Sequence, residues 1–226
     1  KDDRSNVKRS IGNAQIDYRF HFLPDLHLNV NLGYDVSEGK GTVVIPATAA
    51  AQFDRYTDPN THVLYSGSNN QYRTTIQNTT FEAYLNYVKD LKSIKSRIDA
   101  VAGYSYYDYL TTNYNFPDHA YNGFVITNPT YPFDKPEHRL LSYYGRLIYT
   151  FDDKYLLTGT IRRDGSSRFG PSNRFAVFPS AAFAWKIHEE SFLKDNRVLS
   201  DLKLRIGYGI TGQQDIGPLF GYLAVY

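Results

Sequence analysis

Hydrophobic and polar residues alternate along much of this chain with a period of two. The clearest case is the segment 15–34, where apolar side chains stand at every second position on both sides of a Leu-Pro-Asp triplet. Pro24 fixes φ and Asp25 can bond its own backbone, so the triplet predicts a turn between two strands. Folding the segment about Pro24 places Phe22 opposite Leu26 and every apolar residue opposite an apolar one. Since a slip of one residue would put both sets on the wrong face, the pattern predicts an antiparallel hairpin.

Three further hairpins are predicted from the same alternation. Their turns fall at residues 89–96, 152–154 and 188–201. In the hairpin that closes on 152–154, Phe151 faces Tyr155 and Arg146 faces Thr160. About eight strands result, each near the roughly 9–11 residues that a tilted strand needs to cross a bilayer.

The connections between strands differ sharply in length. Those within hairpins are short, whereas those between hairpins are long and polar, at 37–71, 110–139, 165–174 and from 211 onward. Short turns at one end and long loops at the other are typical of outer-membrane barrels, and a soluble β-sandwich does not usually sort its loops in this way. The predicted fold is therefore all-β, an antiparallel transmembrane β-barrel wall of about eight meandering strands. Pro179 lies inside a predicted strand, which indicates a bulge or an interruption there.

The composition agrees with such a wall. The chain contains 21 Tyr, 14 Phe and one Trp, an aromatic content that suits surfaces that are half apolar and half wet. Mean hydropathy is −0.48 and no long apolar stretch occurs, but a barrel needs none because only alternate residues of each strand face lipid.

Several classes of protein are disfavoured. A net charge of +2 and a pI near 8.5 are too mild to indicate nucleic-acid binding. The absence of cysteine rules out a disulfide framework and thiolate zinc sites. No Met and no signal peptide occur in the sequence, which predicts a processed chain or a fragment.

Candidate chemistry is sparse. No Ser-His-Asp spacing, Walker loop or Gly-rich strand-to-helix turn is present, so neither an enzyme nor a cofactor site is predicted. His21 and His27 face each other beside Asp25 and could in principle hold a metal ion. We favour the interpretation that the two His are ordinary polar residues of a barrel lumen, close to the turn. No metal site is therefore predicted.

Two sets of residues are candidates for functional contacts. Polar strand positions are expected to face the lumen or a plug domain: Asp17, Arg19, Glu82, Arg146, Arg162, Lys203 and Arg205. Side chains of the long loops are expected to contact a solute or a covering lid: Tyr56, Tyr65, Tyr109, Tyr114, Tyr121, Tyr131 and Arg168. Aromatic faces near Asn and Asp suit sugars and peptides alike, and the alternative for the loop tyrosines is an aromatic girdle with loop-packing residues.

Three segments of the second half are distinctive. They are 155–170 (YLLTGTIRRDGSSRFG), 178–187 with Phe-Pro-Ser and Ala-Trp-Lys-Ile, and 202–217 (LKLRIGYGITGQQDIG). In residue identity, order and spacing these segments resemble the SusC/RagA family of TonB-linked outer-membrane transporters. Gln213 departs from the resemblance, since the family usually has Asn at that position.

The resemblance implies a function and several partners. It implies a plugged barrel of roughly 22 strands in the outer membrane of a Gram-negative bacterium of the Bacteroidetes type. A SusD-like surface lipoprotein would cover it, TonB would supply energy, and the cargo would be oligosaccharides or peptides. Residues 1–226 would then be a partial barrel domain in contact with membrane lipid. The plug and the N-terminal extension that meets TonB would be absent, so this chain alone is expected not to transport.

Other readings of the sequence remain open. One is a self-contained small outer-membrane barrel with an adhesin or structural role. A barrel enzyme and a soluble β-sandwich binding module are less favoured, because no triad can be assembled and because the loops are sorted by length.

Overall fold

Strands dominate the computed structural model, which describes residues 1–193, 201–215, 217, 219 and 221–223. The strands are β1 (Asp2–Arg19), β2 (Leu26–Ile45), β3 (Tyr56–Thr57), β4 (Leu64–Tyr65), β5 (Ser68–Leu91), β6 (Ser96–Tyr114), β7 (Asp118–His119), β8 (Val125–Thr127), β9 (Phe133–Asp134), β10 (Glu137–Phe151), β11 (Tyr155–Ser166), β12 (Phe175–Lys186) and β13 (Lys203–Gly209). Short 3-10 helices occupy Ala50–Gln52, Lys92–Ile94, Pro171–Asn173 and Ile187–Glu189. None of these described helices could span a membrane.

The long strands form one antiparallel sheet. Its order is β1-β2-β5-β6-β10-β11-β12-β13, with β9 paired to β6 at the side. The remaining short strands pair only with each other, β3 with β4 and β7 with β8. Along the described chain the sheet therefore meanders through eight strands and is not closed on itself. The prediction of an all-β antiparallel wall of about eight strands is confirmed.

The predicted hairpin register is confirmed for β10 and β11. Phe151 lies opposite Tyr155, and Arg146 lies opposite Thr160. The last hairpin also forms as predicted, because β12 pairs with β13. Residues 194–200 of the predicted turn 188–201 lie outside the described residues. In the β10–β11 hairpin the turn residues 152–154 directly border the alternating segments, which leaves little freedom in the register.

The register of the first hairpin differs from the prediction. The backbone N–H of Phe20 donates to the carbonyl of Leu26 at 3.1 Å, so Phe20 rather than Phe22 stands opposite Leu26. Phe22 lies in the turn and is 81% exposed. Two successive turns replace the single predicted one. The N–H of Leu23 donates to the carbonyl of Phe20, and the N–H of Leu26 donates to the carbonyl of Leu23. A shift of two residues keeps every side chain on its face, so the alternation alone could not exclude it.

Four strands are longer than predicted. β1, β2, β5 and β6 contain 18, 20, 24 and 19 residues. β2, β5 and β6 take in parts of the segments 37–71 and 110–139 that were predicted as loops, and β1 begins at Asp2, well before the predicted alternation from residue 15. At about 3.3 Å per residue these strands exceed the roughly 30 Å of a hydrocarbon core. Backbone pairing continues where the apolar alternation stops, since ladder hydrogen bonds do not depend on side-chain polarity.

Pro179 does not interrupt its strand, contrary to the prediction. β12 is continuous, and its register with β11 runs through the pair Ile161–Pro179 without a shift. The carbonyl of Pro179 accepts the N–H of Ile210 at 3.0 Å, just beyond the last β12–β13 pair, Ser180–Gly209. In an antiparallel strand the N–H and C=O of one residue point to the same side. The missing N–H of Pro179 therefore faces the end of β13 and costs no bond to β11.

The chain divides into two compact units. One comprises residues 1–12, 34–79 and 109–137, and the other comprises 13–33, 80–108 and 138–226. The first contains the two small strand pairs. The second contains β10 to β13 and the short turns.

Burial is inverted relative to a water-soluble protein. Among the described residues only one hydrophobic side chain, Ala120, is fully buried. The buried polar residues are Asn29, Ser68, Ser96, Ser105, Thr112, His138, Ser142 and Ser166. Large apolar side chains of the strands are exposed instead, for example Leu157 at 54% and Ile161 at 58%. An exposed apolar surface of this extent marks a contact with lipid or with another protein.

Candidate functional site

The strands β10 to β13 have one apolar and one polar face. The apolar face carries exposed large side chains: Tyr143, Leu147, Leu157, Ile161, Phe183, Leu204 and Ile206. The polar face carries the alternate positions: Ser142, Arg146, Thr160, Arg162, Lys203 and Arg205. Because each register is continuous, the two sets stay separate across all four strands.

A cavity of about 470 Å³ lies on the polar face, and we call it the polar-face cavity. Its walls combine charged and amide groups with aromatic rings, and they include Arg162, Asp164, Phe178, Gln213 and Gln214. Its volume falls in the range of roughly 300–1,000 Å³ that is usual for small-molecule sites. The distinctive sequence segments 155–170 and 202–217 meet at this cavity.

Arg162 is held rigidly in the cavity wall. Its Nε donates to both carboxylate oxygens of Asp164, at 2.6 and 2.9 Å, and its Nη2 donates to the hydroxyl of Ser142 at 2.9 Å. The guanidinium also lies 5.9 Å from the centroid of the Tyr144 ring. Arg162 and Asp164 are two residues apart on one strand and so share a face. This charge-assisted pairing fixes a donor fork and an acceptor side by side.

Phe178 forms the apolar part of the wall. It lies opposite Arg162 in the β11–β12 ladder. A Cβ atom on Gly212 would lie 2.5 Å from Cε1 of Phe178, so this position admits only glycine without a shift of the ring. The chain after β13 thereby approaches the ring closely and brings Gln213 and Gln214 to the cavity.

Arg168 clamps the segment that follows β13. Its Nε donates to Nδ1 of His138 at 3.1 Å, and its Nη1 donates to the carboxylate of Asp215 and to the carbonyl of Gly217. The backbone N–H of Gly217, and then Arg168, lower the pKa of Asp215. Burial, and then the charge of Arg168, lower the pKa of His138. A neutral His138 is the form that accepts the Arg168 N–H.

Comparison with known proteins identifies the family. The model for "TonB dependent receptor-like, beta-barrel" matches residues 1–225. The chain belongs to this family. It is 37% identical over 233 residues to the TonB-dependent receptor SusC of Bacteroides thetaiotaomicron, which covers the whole chain and 22% of SusC. It is 46% identical over 93 residues to the TonB-dependent receptor P39 of Formosa agariphila, covering 41% of this chain and 9% of P39.

Solved structures show the same fold. The RagAB peptide transporter matches with a TM-score of 0.74 at 21% identity, over 92% of this chain and 23% of that chain. The RagAB peptide importer in the 'open-open' state matches with a TM-score of 0.70 at 21% identity, over 94% of this chain and 23% of that chain. The predicted SusC/RagA-type family and barrel fold are thus confirmed. The chain spans about a fifth of the length of SusC and of the RagAB chains.

The other predicted lumen residues of this TonB-dependent receptor barrel divide into two groups. Asp17, Arg19 and Glu82 bind near neighbours: Asp17 pairs with His27 at 3.0 Å, Arg19 donates to the Pro24 carbonyl at 3.0 Å, and Glu82 accepts the hydroxyl of Tyr107. Within the described part of the chain, the side chains of three cationic residues of the polar face make no hydrogen bond or ion pair: Arg146, Lys203 and Arg205. They are therefore available to a further partner.

The structure brings only some of the predicted loop aromatics together. Tyr56 and Tyr65 have ring centroids 6.5 Å apart, and Tyr65 stacks on Phe124 at 3.9 Å. Tyr114 lies beneath the guanidinium of Arg73, which is 4.5 Å from its ring centroid. Tyr131 is largely exposed, and Tyr109 and Tyr121 are partly exposed.

A loop network was missed by the sequence interpretation. The guanidinium of Arg55 donates to the carboxylate of Asp118, and the side-chain amide of Asn70 donates to the same carboxylate at 2.7 Å. The carbonyl of the Asn70 side chain accepts the N–H of His119 at 2.8 Å. Burial opposes ionisation of Asp118, but Arg55 and Asn70 outweigh it and lower its pKa. These residues lie far apart in sequence, and no local pattern connects them.

Proposed function

We propose that this chain forms part of the barrel wall of a TonB-coupled importer in the outer membrane of a Gram-negative bacterium. The observation that carries the proposal is the inverted burial of the strands, with exposed Leu157 and Ile161 on one face and buried Ser142 on the other. A closed barrel in lipid needs apolar residues outside and polar residues inside. The relatives support the coupling, since SusC and P39 are named TonB-dependent receptors.

The polar face would line the lumen in this importer. Arg146, Lys203 and Arg205 would contact a plug domain or the passing solute, because they have no partner within the described residues. The polar-face cavity would contact the same solute or plug through Arg162 and Asp164. Guanidinium, carboxylate and amide groups beside an aromatic ring can bind the hydroxyl groups of an oligosaccharide or the amides of a peptide.

The partners follow from the family. A SusD-like surface lipoprotein would cover the long loops, where Tyr121 and Tyr131 are exposed. TonB would act through parts of the importer outside residues 1–226. No catalytic step is proposed, because the matched relatives are named receptors, transporters and importers.

Uptake by the full-length protein tests the import function. A bacterium that lacks the protein would be compared with its parent for uptake of labelled oligosaccharides and labelled peptides too large for porins. We expect uptake of at least one solute class to need both the protein and the proton gradient. Equal uptake in the deleted strain, or uptake that survives collapse of the gradient, would contradict the proposal.

Single cysteines test the orientation of the wall. The 226 residues contain no Cys, so Leu157→Cys and Thr158→Cys can be compared in a full-length background without other cysteines. In the inserted protein we expect a water-soluble maleimide to label Thr158→Cys about tenfold faster, because Leu157 would face lipid. Equal labelling of the two variants, with both reactive after unfolding, would contradict lipid contact by the apolar face.

A further inference from the structure

One face of strand β2 changes from apolar to charged along its length. Apolar residues stand at every second position from Leu26 to Val36, and Glu38 and Lys40 follow at positions of the same parity. Tyr34 is 47% exposed and its hydroxyl is 3.2 Å from that of Ser10 on β1. A half-exposed Tyr near the end of an apolar stretch is typical of the border between hydrocarbon and water.

A groove of about 510 Å³ lies among the charged positions of the first unit, and we call it the cationic groove. Side chains from β1, β2 and β5 line it, together with an aromatic ring from the loop that follows β6. These residues are Arg4, Asn6, Lys40, Gln71, Arg73 and Phe116. Each of the three strands thus contributes one cationic side chain to the groove.

The cations of the groove are only partly neutralised. Arg73 pairs with Glu38 at 2.6 Å and lies over the Tyr114 ring, so it is fixed in position. Arg4 pairs with Asp2, two residues away, and both side chains are largely exposed. Lys40 has no ion pair among the described residues. Three cations against two carboxylates leave one positive charge, and exposed pairs such as Arg4–Asp2 contribute little stability and exchange readily.

We infer that the cationic groove binds the phosphorylated headgroup of a membrane lipid. Guanidinium and ammonium groups are strong donors to phosphate oxygens. The lipid source follows from the placement of the groove, since Lys40 continues the face of β2 on which the run of apolar residues ends at Val36. Basic groups just beyond the hydrocarbon border attract anionic lipid. The inference rests on the proposed function, because it requires the apolar face to lie in a membrane.

The selectivity of the inserted full-length protein for anionic lipid tests this inference. The protein would be placed in phosphatidylcholine vesicles, and its association with spin-labelled phosphatidylglycerol would be compared with that of spin-labelled phosphatidylcholine. We expect a preference for phosphatidylglycerol that falls about fivefold or more in Arg4→Gln/Lys40→Gln. The matched control Lys203→Gln/Arg205→Gln removes the same charge from the polar face and should keep the preference.

The possible outcomes are distinct. An unchanged preference in Arg4→Gln/Lys40→Gln would overturn the inference. Binding of inorganic phosphate that needs Arg4 and Lys40, in a protein with no preference for phosphatidylglycerol, would also overturn it and would identify a soluble anion as the occupant. The single variant Arg4→Gln, which should show a smaller loss, serves if the double variant does not insert. Protection of Leu157→Cys from the water-soluble maleimide reports insertion separately. Failure of that protection contradicts the proposed function, whereas protection without lipid preference contradicts only the headgroup site.

Discussion

Asp152 and Lys95 join two successive short turns by two different bonds. The backbone N–H of Asp152 donates to the carbonyl of Lys95 at 2.7 Å, and the two side chains form an ion pair at 3.3 Å. The neighbouring turns repeat this arrangement. Val88 N–H bonds the carbonyl of Asp25 while Lys89 pairs with Asp25, and Lys186 N–H bonds the carbonyl of Lys154 while Lys154 pairs with Glu190. Each short turn is therefore fastened to the next along the chain.

The turn at Asp152 and Asp153 should be sensitive to side-chain shape. Both residues have left-handed backbone conformations, with φ of 49° and 53°. Asp and Asn tolerate this region, whereas a β-branched residue is strained there. We expect Asp153→Val to lower the free energy of unfolding of the full-length protein by about 1–2 kcal/mol, and Asp153→Asn to change it by less than about 0.5 kcal/mol. Urea unfolding in detergent micelles measures both, and equal effects of Val and Asn would contradict the strain.

Glu190 should control the environment of Trp185. Its carboxylate accepts the hydroxyl of Tyr155 at 2.5 Å and the indole N–H of Trp185 at 3.0 Å, and it pairs with Lys154. Trp185 is the one Trp of the sequence. We expect Glu190→Ala to shift Trp185 fluorescence to longer wavelength, because the indole loses its acceptor and the turn opens to water. The neighbouring variant Glu189→Gln is the control, and an identical shift there would refute the role of Glu190.

Two strand glycines should differ in their tolerance of a methyl group. A Cβ on Gly103 would lie 2.6 Å from the Tyr144 ring, whereas a Cβ on Gly159 would meet nothing within 4 Å. We expect Gly103→Ala to destabilise the protein by about 1–3 kcal/mol through overpacking. Gly159→Ala should leave stability within about 0.5 kcal/mol. Equilibrium unfolding of both variants in the same detergent measures these changes in stability. An unchanged free energy of unfolding in Gly103→Ala would show that Tyr144 can move aside without cost.

Acidification should weaken the clamp at His138. Burial and then Arg168 lower the pKa of His138 below its ordinary value of 6.5 in the folded protein. The unfolded chain therefore takes up the proton first, so the stability that depends on neutral His138 is complete above pH 6.5 and is lost as the pH falls through the lowered pKa.

Thermal unfolding across this range, compared with His138→Gln, measures the effect. Gln keeps an acceptor for Arg168 but does not titrate, so the variant should lose most of the pH dependence below 6.5. The same pH dependence in both proteins would assign it to another group, such as Asp215.

The sequence predicts the sheet well where turn residues border a regular alternation. Asp152 and Asp153 directly join two alternating segments, and the register from Phe151–Tyr155 onward follows without error. Around Pro24 the same alternation is compatible with registers two residues apart, since the period of a strand is two. The choice between them depended on the two bonded turns between Phe20 and Leu26, which alternation does not encode.

The candidate site was predictable only at the level of strand faces. Arg162 was expected on the polar face and lies there, and its pairing with Asp164 follows from their spacing on one strand. Arg168 was expected in an outward loop that contacts a solute or a lid, and its hydrogen bonds to His138 and Asp215 were not predicted. Contacts such as Arg55–Asp118 join separate loops, and their partners depend on the tertiary fold rather than on any local pattern.

The inverted burial of this chain also reverses the usual rules of sequence variation. A water-soluble domain tolerates change on its surface and resists it in a large apolar core. In the proposed barrel wall the exposed apolar positions, such as Leu157 and Ile161, should exchange freely among aliphatic and aromatic residues, because fluid lipid adapts to any apolar shape. Substitution should instead be slowest at small, buried polar residues such as Ser105 and Ser142, where the surroundings exclude a larger side chain and disfavour an apolar one. Divergent members of the family should thus differ most on the surface that looks most hydrophobic.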